Sequence, residues 1–392
     1  MKATTIKPAL SIYINQIVYD QKRLGKDITV LSLGEAFFSL PNFPFDELSY
    51  TKGAHYSDSQ GIPELRKKIS DYYIQNFKAK LNYKNEIIIS AGSKILLYLA
   101  IKNIIKKNDK VLIFEPYWLS YEEQIKINGG KILSVPINTS IFDINKYIDN
   151  KTKLIIINNP NNPSGEYYDK KKINYLLNIC NKKNIKIIID ETYNDFVKKK
   201  FYSLSSKSNK KNIIIINSLS KNMGLSGWRI GFLISNKKFT YEILKLNQHL
   251  ITCAPTILQM YVEKNFKDII SSTKPQILNL IDKRKKIEKY LKKNNFNYMK
   301  GDTTFYFMIN VKHFMKSAYF FAMYLLLKHQ ISVVPGIAYG KSCKDFIRVS
   351  IGSESLERTL SALNIIKSLI QEKKLDNKIS NTIIKNYNYE IE

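Results

Sequence analysis

Cysteine is scarce in this chain: Cys180, Cys253 and Cys343 are the only three in 392 residues. An odd, widely spaced set offers neither a disulfide framework nor the paired spacing of a metal site. Long apolar runs are missing too, since none reaches the roughly 20 residues that a membrane-spanning helix requires. The stretch from Ala318 to Leu327 has the length of a buried core helix. The opening residues, Met-Lys-Ala-Thr-Thr-Ile-Lys-Pro, lack the apolar centre of a secretory leader. A reducing, cytoplasmic setting is therefore the expectation. Internal repeats are absent, and glycine and proline mark joints rather than linkers. Acidic residues are few, 33 against 62 Lys and Arg, which leaves a formal charge of +29. Such an excess raises the question of a nucleic acid or an anionic membrane. The lysines, however, are scattered in twos and threes (Lys106-Lys107, Lys170 to Lys172, Lys182-Lys183, Lys198 to Lys200) between apolar runs. Solvated faces and a chain-wide inflation of Lys, Asn and Ile account for that pattern better than a binding stripe. The charge would still attract anionic metabolites.

What is present is globular. Hydrophobic residues make up 44% and charged residues 24%, values of a protein with a sizeable core, in one large or two medium domains. From about residue 85, short β-branched runs alternate with longer helical patterns. The strand candidates are Glu86 to Ser90, Val111 to Phe114, Lys131 to Val135, Leu154 to Asn158, Ile185 to Ile189, Ile213 to Asn217 and Ile230 to Ser235. Apolar strands separated by helices predict an α/β fold, with a mostly parallel seven-stranded sheet covered on both faces. A smaller α+β unit would combine the N-terminal segment with a helix from Asp282 to Asn294 and strands near Thr304 to Asn310 and Phe346 to Ser350. The division expected is 46–284 for the large domain, 1–45 with 285–375 for the small one, and a polar tail, part helix end and part loose, over 376–392.

Ligands of such sheets sit beyond the carboxyl ends of the strands. Five of those ends lead into polar clusters: Ala91-Gly92-Ser93-Lys94, Glu115-Pro116-Tyr117-Trp118, Asn158-Asn159-Pro160-Asn161-Asn162-Pro163-Ser164-Gly165, Asp190-Glu191-Thr192-Tyr193 and Ser218-Leu219-Ser220-Lys221. Together they predict one site. With the run from Tyr56 to Arg66, Gly227-Trp228-Arg229-Ile230-Gly231, Val334-Pro335-Gly336 and Arg348-Val349-Ser350, they form an ordered set. In that order the chain resembles the class I aminotransferases, which are fold type I enzymes of pyridoxal 5′-phosphate (PLP), and in particular their bacterial aspartate/aromatic branch. The likeness runs from about Leu31 to Ser355.

The resemblance implies a role for each matching residue. Lys221 would be the Schiff-base lysine, since a primary amine can hold the aldehyde and later shuttle a proton between substrate and cofactor carbons. Asp190 would keep the pyridine nitrogen protonated; a helix N-cap is its plainer reading. Tyr193 and Asn162 would reach the phenolic oxygen, although Asn-Pro-Ser-Gly is also ordinary turn chemistry. Gly92, Ser93 and Lys94, at a strand-to-helix junction, would grip the phosphate with Ser218, Ser220 and a forked contact from Arg229. Trp118 would stack on the ring and touch substrate, against the alternative of a core tryptophan. Tyr56 would be lent to the neighbouring subunit's phosphate, which implies a homodimer with shared sites. Arg348 would clamp the substrate α-carboxylate, where guanidinium fits a planar anion as lysine cannot, and Gly34 would let backbone approach the same group.

The implied reaction moves an amino group between an L-amino acid and a 2-oxo acid, through internal and external aldimines and pyridoxamine phosphate. Another PLP reaction on the same scaffold, such as β-elimination, decarboxylation or racemisation, stays open, because fold does not decide which bond breaks. A PLP-sensing transcriptional regulator is the non-enzymatic alternative, but the likeness starting near Leu31 leaves no room for a preceding winged helix. The likeness departs at Ala36-Phe37-Phe38, where the family commonly has Pro-Asp-Phe, and the stretch before Tyr56 is short. Lys94 stands where some acid-specific relatives read a side-chain carboxylate, so a dicarboxylate substrate is one expectation.

Overall fold

Seven strands rich in isoleucine form the central sheet of the computed structural model, which describes residues 6–387 apart from 199 and 373. Their spatial order is Ile87–Ser90, Gly231–Ile234, Ile213–Ser218, Lys186–Asp190, Thr152–Asn158, Lys110–Phe114 and Lys131–Val135. Six run in one direction, and Gly231–Ile234 lies antiparallel to both of its neighbours. The period-2 alternation of strands divides the isoleucines between two cores. Ile188, Ile214 and Ile216 pack with the helices Ser93–Ile104, Ser120–Ile127 and Lys237–Leu250. Ile187, Ile189, Ile213 and Ile215 pack on the opposite side with Pro63–Phe77, Lys170–Lys183 and Thr256–Lys264. Because both faces are covered, β-branched residues occupy successive positions, and the seven runs are legible without polar alternation.

Local signals set the helix ends. The Asp169 side chain accepts from the Lys172 amide to start Lys170–Lys183, and Asn184, at φ +52°, ends it. Ser317 caps Ala318–His329 in the same way, and Gln330 terminates that helix at φ +57°.

The second unit holds a three-stranded sheet in the order Val334–Pro335, Phe346–Ser350, Tyr306–Asn310. The short strands Thr29–Val30 and Ile331–Ser332 pair in parallel beside it. One apolar cluster joins these strands to helices Leu10–Arg23, Ala318–His329 and Leu356–Ile370. The helix expected from Asp282 starts much earlier, at Phe266, and runs through Lys293. Pro275 obscures the pattern, yet Ile269, Ile277, Leu280, Ile281, Ile287 and Leu291 keep one face buried across it. The chain has no break between residues 284 and 285. The polar stretch after 375 includes the helix Asn377–Asn386, capped by Asp376 and anchored by buried Ile383; residues 388–392 of the expected tail lie outside the described ones.

Ile188 is fully buried at the middle of the central sheet. Ile188→Ala should lower stability by about 3 kcal/mol, read as a lower urea midpoint with an unchanged slope.

Candidate active site

The strand pairing brings the sequence clusters to one edge of the sheet. Ser90 and Ser218 both pair with Gly231, and Asn158 pairs with Asp190, so these ends are neighbours in space. Gly231 sits so close to the next turn that a Cβ there would lie 2.2 Å from the Ser93 amide nitrogen. Gly92, at φ +93°, leads into helix Ser93–Ile104; a Cβ on it would meet Arg229 Nη2 at 2.8 Å. Two missing side chains thus bring a guanidinium against a helix N-terminus, where backbone dipoles already favour an anion. Arg229 itself is at φ +58° and donates Nη1 to the Ser226 carbonyl at 2.6 Å. Ser218 caps the short helix Leu219–Asn222, its Oγ accepting from the Ser220 amide at 3.3 Å. The Lys94 ammonium lies 5.2 Å from the Trp118 ring centroid. Lost hydration, and then the charge of Arg229, lower its pKa. This arrangement suits a phosphate.

Next to this cup, the Asp190 carboxylate is buried. Thr192 donates to Oδ1 from its hydroxyl at 2.6 Å and its amide at 3.1 Å, and Tyr121 donates to Oδ2 at 2.7 Å. Burial pushes the Asp190 pKa up, while these bonds pull it back. All three donors are neutral. A buried carboxylate so arranged can still take a cationic partner, as the protonated ring nitrogen of PLP would be. Trp118 is half-buried and meets Tyr121 edge-on, with centroids 5.4 Å apart.

Asn162 closes the other side. Its amide donates to Asn158 Oδ1 at 2.7 Å, and its side-chain nitrogen donates to the Tyr193 hydroxyl at 3.2 Å. Tyr193 and Tyr306 share a hydrogen bond of 2.8 Å between hydroxyls. Burial, then Tyr306, hold the Tyr193 phenol well above its ordinary pKa.

Lys221 donates from Nζ to the Gly34 carbonyl. Burial drives its pKa down to about 8, with Arg348 and Arg229 adding to the shift and Glu35 opposing it. Arg348 is buried at 3% exposure. It donates to Asn162 Oδ1 at 3.4 Å and to the Ser32 carbonyl at 2.5 Å, with its guanidinium 4.8 Å from the Tyr306 ring and 5.3 Å from that of Tyr339. A Cβ on Gly34 would lie 3.1 Å from the Tyr306 hydroxyl and 3.7 Å from Arg348 Nη1. Backbone therefore approaches a cation that has carbonyls and aromatic faces around it, a fitting place for a planar carboxylate.

Neighbouring groups now run in a circuit: Arg229 with Gly92 against it, Lys94, Trp118, Tyr121, Asp190, Asn158, Asn162, Tyr193, Tyr306, Arg348, Gly34 and Lys221, which feels the charge of Arg229. Ser93, Ser218 and Ser220 lie at the same sheet edge. Tyr56 stands apart, 85% exposed in the single chain. Sequence reasoning overlooked Tyr121, Tyr306, Tyr339 and Ser32. Tyr121 had a signal, since it sits one helical turn beyond Trp118 on Ser120–Ile127. Tyr306 had none, because only the packing of a distant strand brings it to Tyr193.

Comparison with known proteins shows the family. The family model described as aminotransferase class I and II matches residues 39–363. The (5-formylfuran-3-yl)methyl phosphate transaminase of Methanocaldococcus jannaschii is 35% identical over 353 residues, covering 87% of this chain and 92% of that protein. A probable aspartate/prephenate aminotransferase of Aquifex aeolicus is 30% identical, over 95% of this chain and 98% of its own. Among solved structures, a Methanococcus jannaschii protein described as similar in its active site to kynurenine aminotransferases has a TM-score of 0.84. It is 31% identical, with 94% of this chain and 100% of that one covered.

The Lys221 amine should react with an acylating reagent in the cofactor-free protein half-maximally near pH 8, because only the unprotonated form is nucleophilic. Surface lysines should need a pH of about 10. Peptide mass spectrometry across pH 6.5 to 10 would read both; a Lys221 profile matching the surface lysines would contradict the burial argument.

Proposed function

The chain belongs to the class I and II aminotransferases, PLP-dependent enzymes that transfer an amino group between an amino acid and a 2-oxo acid, and from that premise we propose that the circuit from Arg229 to Lys221 is its active site. The observation that carries the proposal is the convergence of three groups on one sheet edge: a buried carboxylate held by neutral donors, an amine of lowered pKa and an anion cup.

In this reading Gly92, Ser93, Lys94, Ser218, Ser220 and Arg229 hold the phosphate. Asp190, fixed in orientation by Tyr121 and Thr192, would take the ring nitrogen. Tyr193 and Asn162 would serve the phenolic oxygen, and Trp118 would cover the ring. When bound, PLP supplies an electron sink that makes a substrate Cα–H acidic and carries the amino group between two half-reactions. Lys221 moves the Cα proton: with a pKa near 8 its amine exists in both forms around neutrality, which suits a group that takes a proton and returns it. Arg348 and the Asn162 side chain orient the α-carboxylate, and Gly34 leaves room for it. Arg348 would thereby fix which Cα bond lies next to the Lys221 amine.

Three finer points belong to the same proposal. Residues 46–284 form the cofactor domain, with 1–45 and 285–375 as the smaller one. The enzyme is a cytoplasmic homodimer in which Tyr56 crosses to the partner's phosphate; the exposure of Tyr50 and Tyr56, 84% and 85% in one chain, supports this. Lys94, near both the cup and the Trp118 plate, reads a second carboxylate, so that aspartate or glutamate is a substrate.

Lys221→Ala should abolish the imine band of the bound cofactor, leaving at most that of the free aldehyde, and reduce turnover by about 10⁴-fold or more, as removal of a covalent and proton-transfer group does. A variant that keeps band and turnover would overturn the assignment. Lys94→Ala should raise KM for aspartate at least tenfold, the cost of one lost charge-assisted contact, while changing KM for an apolar amino acid less. Equal shifts for both substrates would exclude the dicarboxylate reading.

A further inference from the structure

Behind the phosphate cup runs a line of fully buried polar groups that the transfer reaction does not use. The Ser218 amide donates to Asn217 Oδ1 at 2.7 Å, Asn217 Nδ2 donates to the Tyr73 hydroxyl at 2.8 Å, and Tyr73 donates to Glu191 Oε2 at 3.2 Å. Each bond points the same way, from the turn that precedes Lys221 toward one carboxyl group. Glu191 is 0% exposed and also takes the Ser203 hydroxyl, at 2.7 Å from Oε1 and 3.0 Å from Oε2. We propose that Glu191 and Tyr73 are positioning residues that hold the Ser218 turn through Asn217 and make its grip on the cofactor phosphate depend on the protonation of Glu191. The inference rests on the PLP reading above.

The surroundings of Glu191 explain why protonation matters. The titratable groups facing it are Tyr73 on helix Pro63–Phe77, Asp190 at the end of the strand just before it, and Tyr167 in the loop before helix Lys170–Lys183. None of them is a cation. Burial first, with Asp190 adding to it, pushes the Glu191 pKa up to about 8, against the pull of Ser203 and Tyr73. Glu191 therefore holds a proton far more readily than an ordinary carboxyl, and in that uncharged form it leaves the negative charge at this strand end to Asp190. Above pH 8 a second anion forms one residue away, at the far end of the line from a phosphate dianion. Those charges repel through a medium that screens them poorly.

A small void lies beside the middle of this line. A cavity of about 20 Å³, the size of one water, is lined by Tyr73, Asn217 and Ser218. It shares Tyr72, Asp195 and Asn222 with an open cavity of about 560 Å³ between helices Pro63–Phe77 and Phe266–Lys293.

The test compares wild type, Glu191→Gln and Tyr73→Phe between pH 6.5 and 9.5. It measures the PLP dissociation rate of the holoenzyme and the affinity of the cofactor-free protein for inorganic phosphate. Wild type should weaken about tenfold more than Glu191→Gln as pH rises through 8, a tenfold factor being one pKa unit of coupling. At pH 6.5 the two should agree within about twofold, because the amide imitates the neutral acid. Tyr73→Phe should weaken binding at every pH, since Asn217 loses its acceptor. Infrared spectroscopy of the wild type should show a protonated carboxyl band at pH 7 that fades above 8 and is missing from Glu191→Gln, which keeps the question answerable if a variant folds poorly. Matching pH profiles for wild type and Glu191→Gln, or no such band, would overturn the inference. Failure of wild type to bind PLP through Lys221 would instead remove the reading beneath it.

Discussion

The site depends on placing a carboxylate at the end of a buried strand without a cation beside it. Leaving a charge unpaired in a protein interior costs several kcal/mol. The fold limits that cost at Asp190 with two hydroxyls and an amide, from Thr192 and Tyr121. Each is a neutral donor, so the carboxylate is oriented but not neutralised. The electrostatic demand stays available for a ligand that brings its own positive nitrogen. Tyr121 in turn has to be on the first turn of helix Ser120–Ile127, which fixes Trp118 edge-on to it. One unmet charge thereby constrains the whole face on which we propose the cofactor lies.

Two glycines set the other pole. Gly231 and Gly92 have no side chain to separate strand Gly231–Ile234 from the turn opening helix Ser93–Ile104, and Arg229 fills the space. The antiparallel run of that single strand is what makes this possible. Its start, rather than its finish, lies at the ligand edge, so a residue just before it can join residues that follow the parallel strands. A cation from one side and a helix N-terminus from the other then face the same point.

Much of this was legible in the chain. Isoleucine runs such as Ile187 to Ile189 announce strands covered on both faces, and a polar residue directly after one, as Asp190 is, needs a reason to be there. Lys221 and Arg229 became recognisable through the residues beside them, because lysine is too common here to stand out alone. Other parts were hidden for physical reasons. Tyr306 meets Tyr193 across 113 positions of sequence, and only the packing of the two sheets decides that contact. The early start of helix Phe266–Lys293 was masked by Pro275, whose local penalty is outweighed by a continuous buried face. Tyr73 and Glu191 look like ordinary residues of an amphipathic helix and a strand end; only their shared burial reveals the line to Ser218.

Arg348 repeats the logic of Asp190 with the sign reversed. It is almost wholly buried, yet the groups that meet it are the Ser32 carbonyl, the Asn162 amide oxygen and the faces of Tyr306 and Tyr339. Partial charges and ring quadrupoles stabilise a guanidinium without cancelling it, and its Nε has no hydrogen-bond partner. A lysine could not be held this way, because a compact ammonium loses more hydration and lacks a flat surface to lay on the rings. Within the field of Arg348 and Arg229 lies Lys221, whose amine is kept from full protonation by burial and by those two positive charges. In the proposed site, an amino acid held at Arg348 by its carboxylate would add a negative charge to that field. The binding event itself would then raise the proton affinity of the amine, at the stage when the amine must accept a proton.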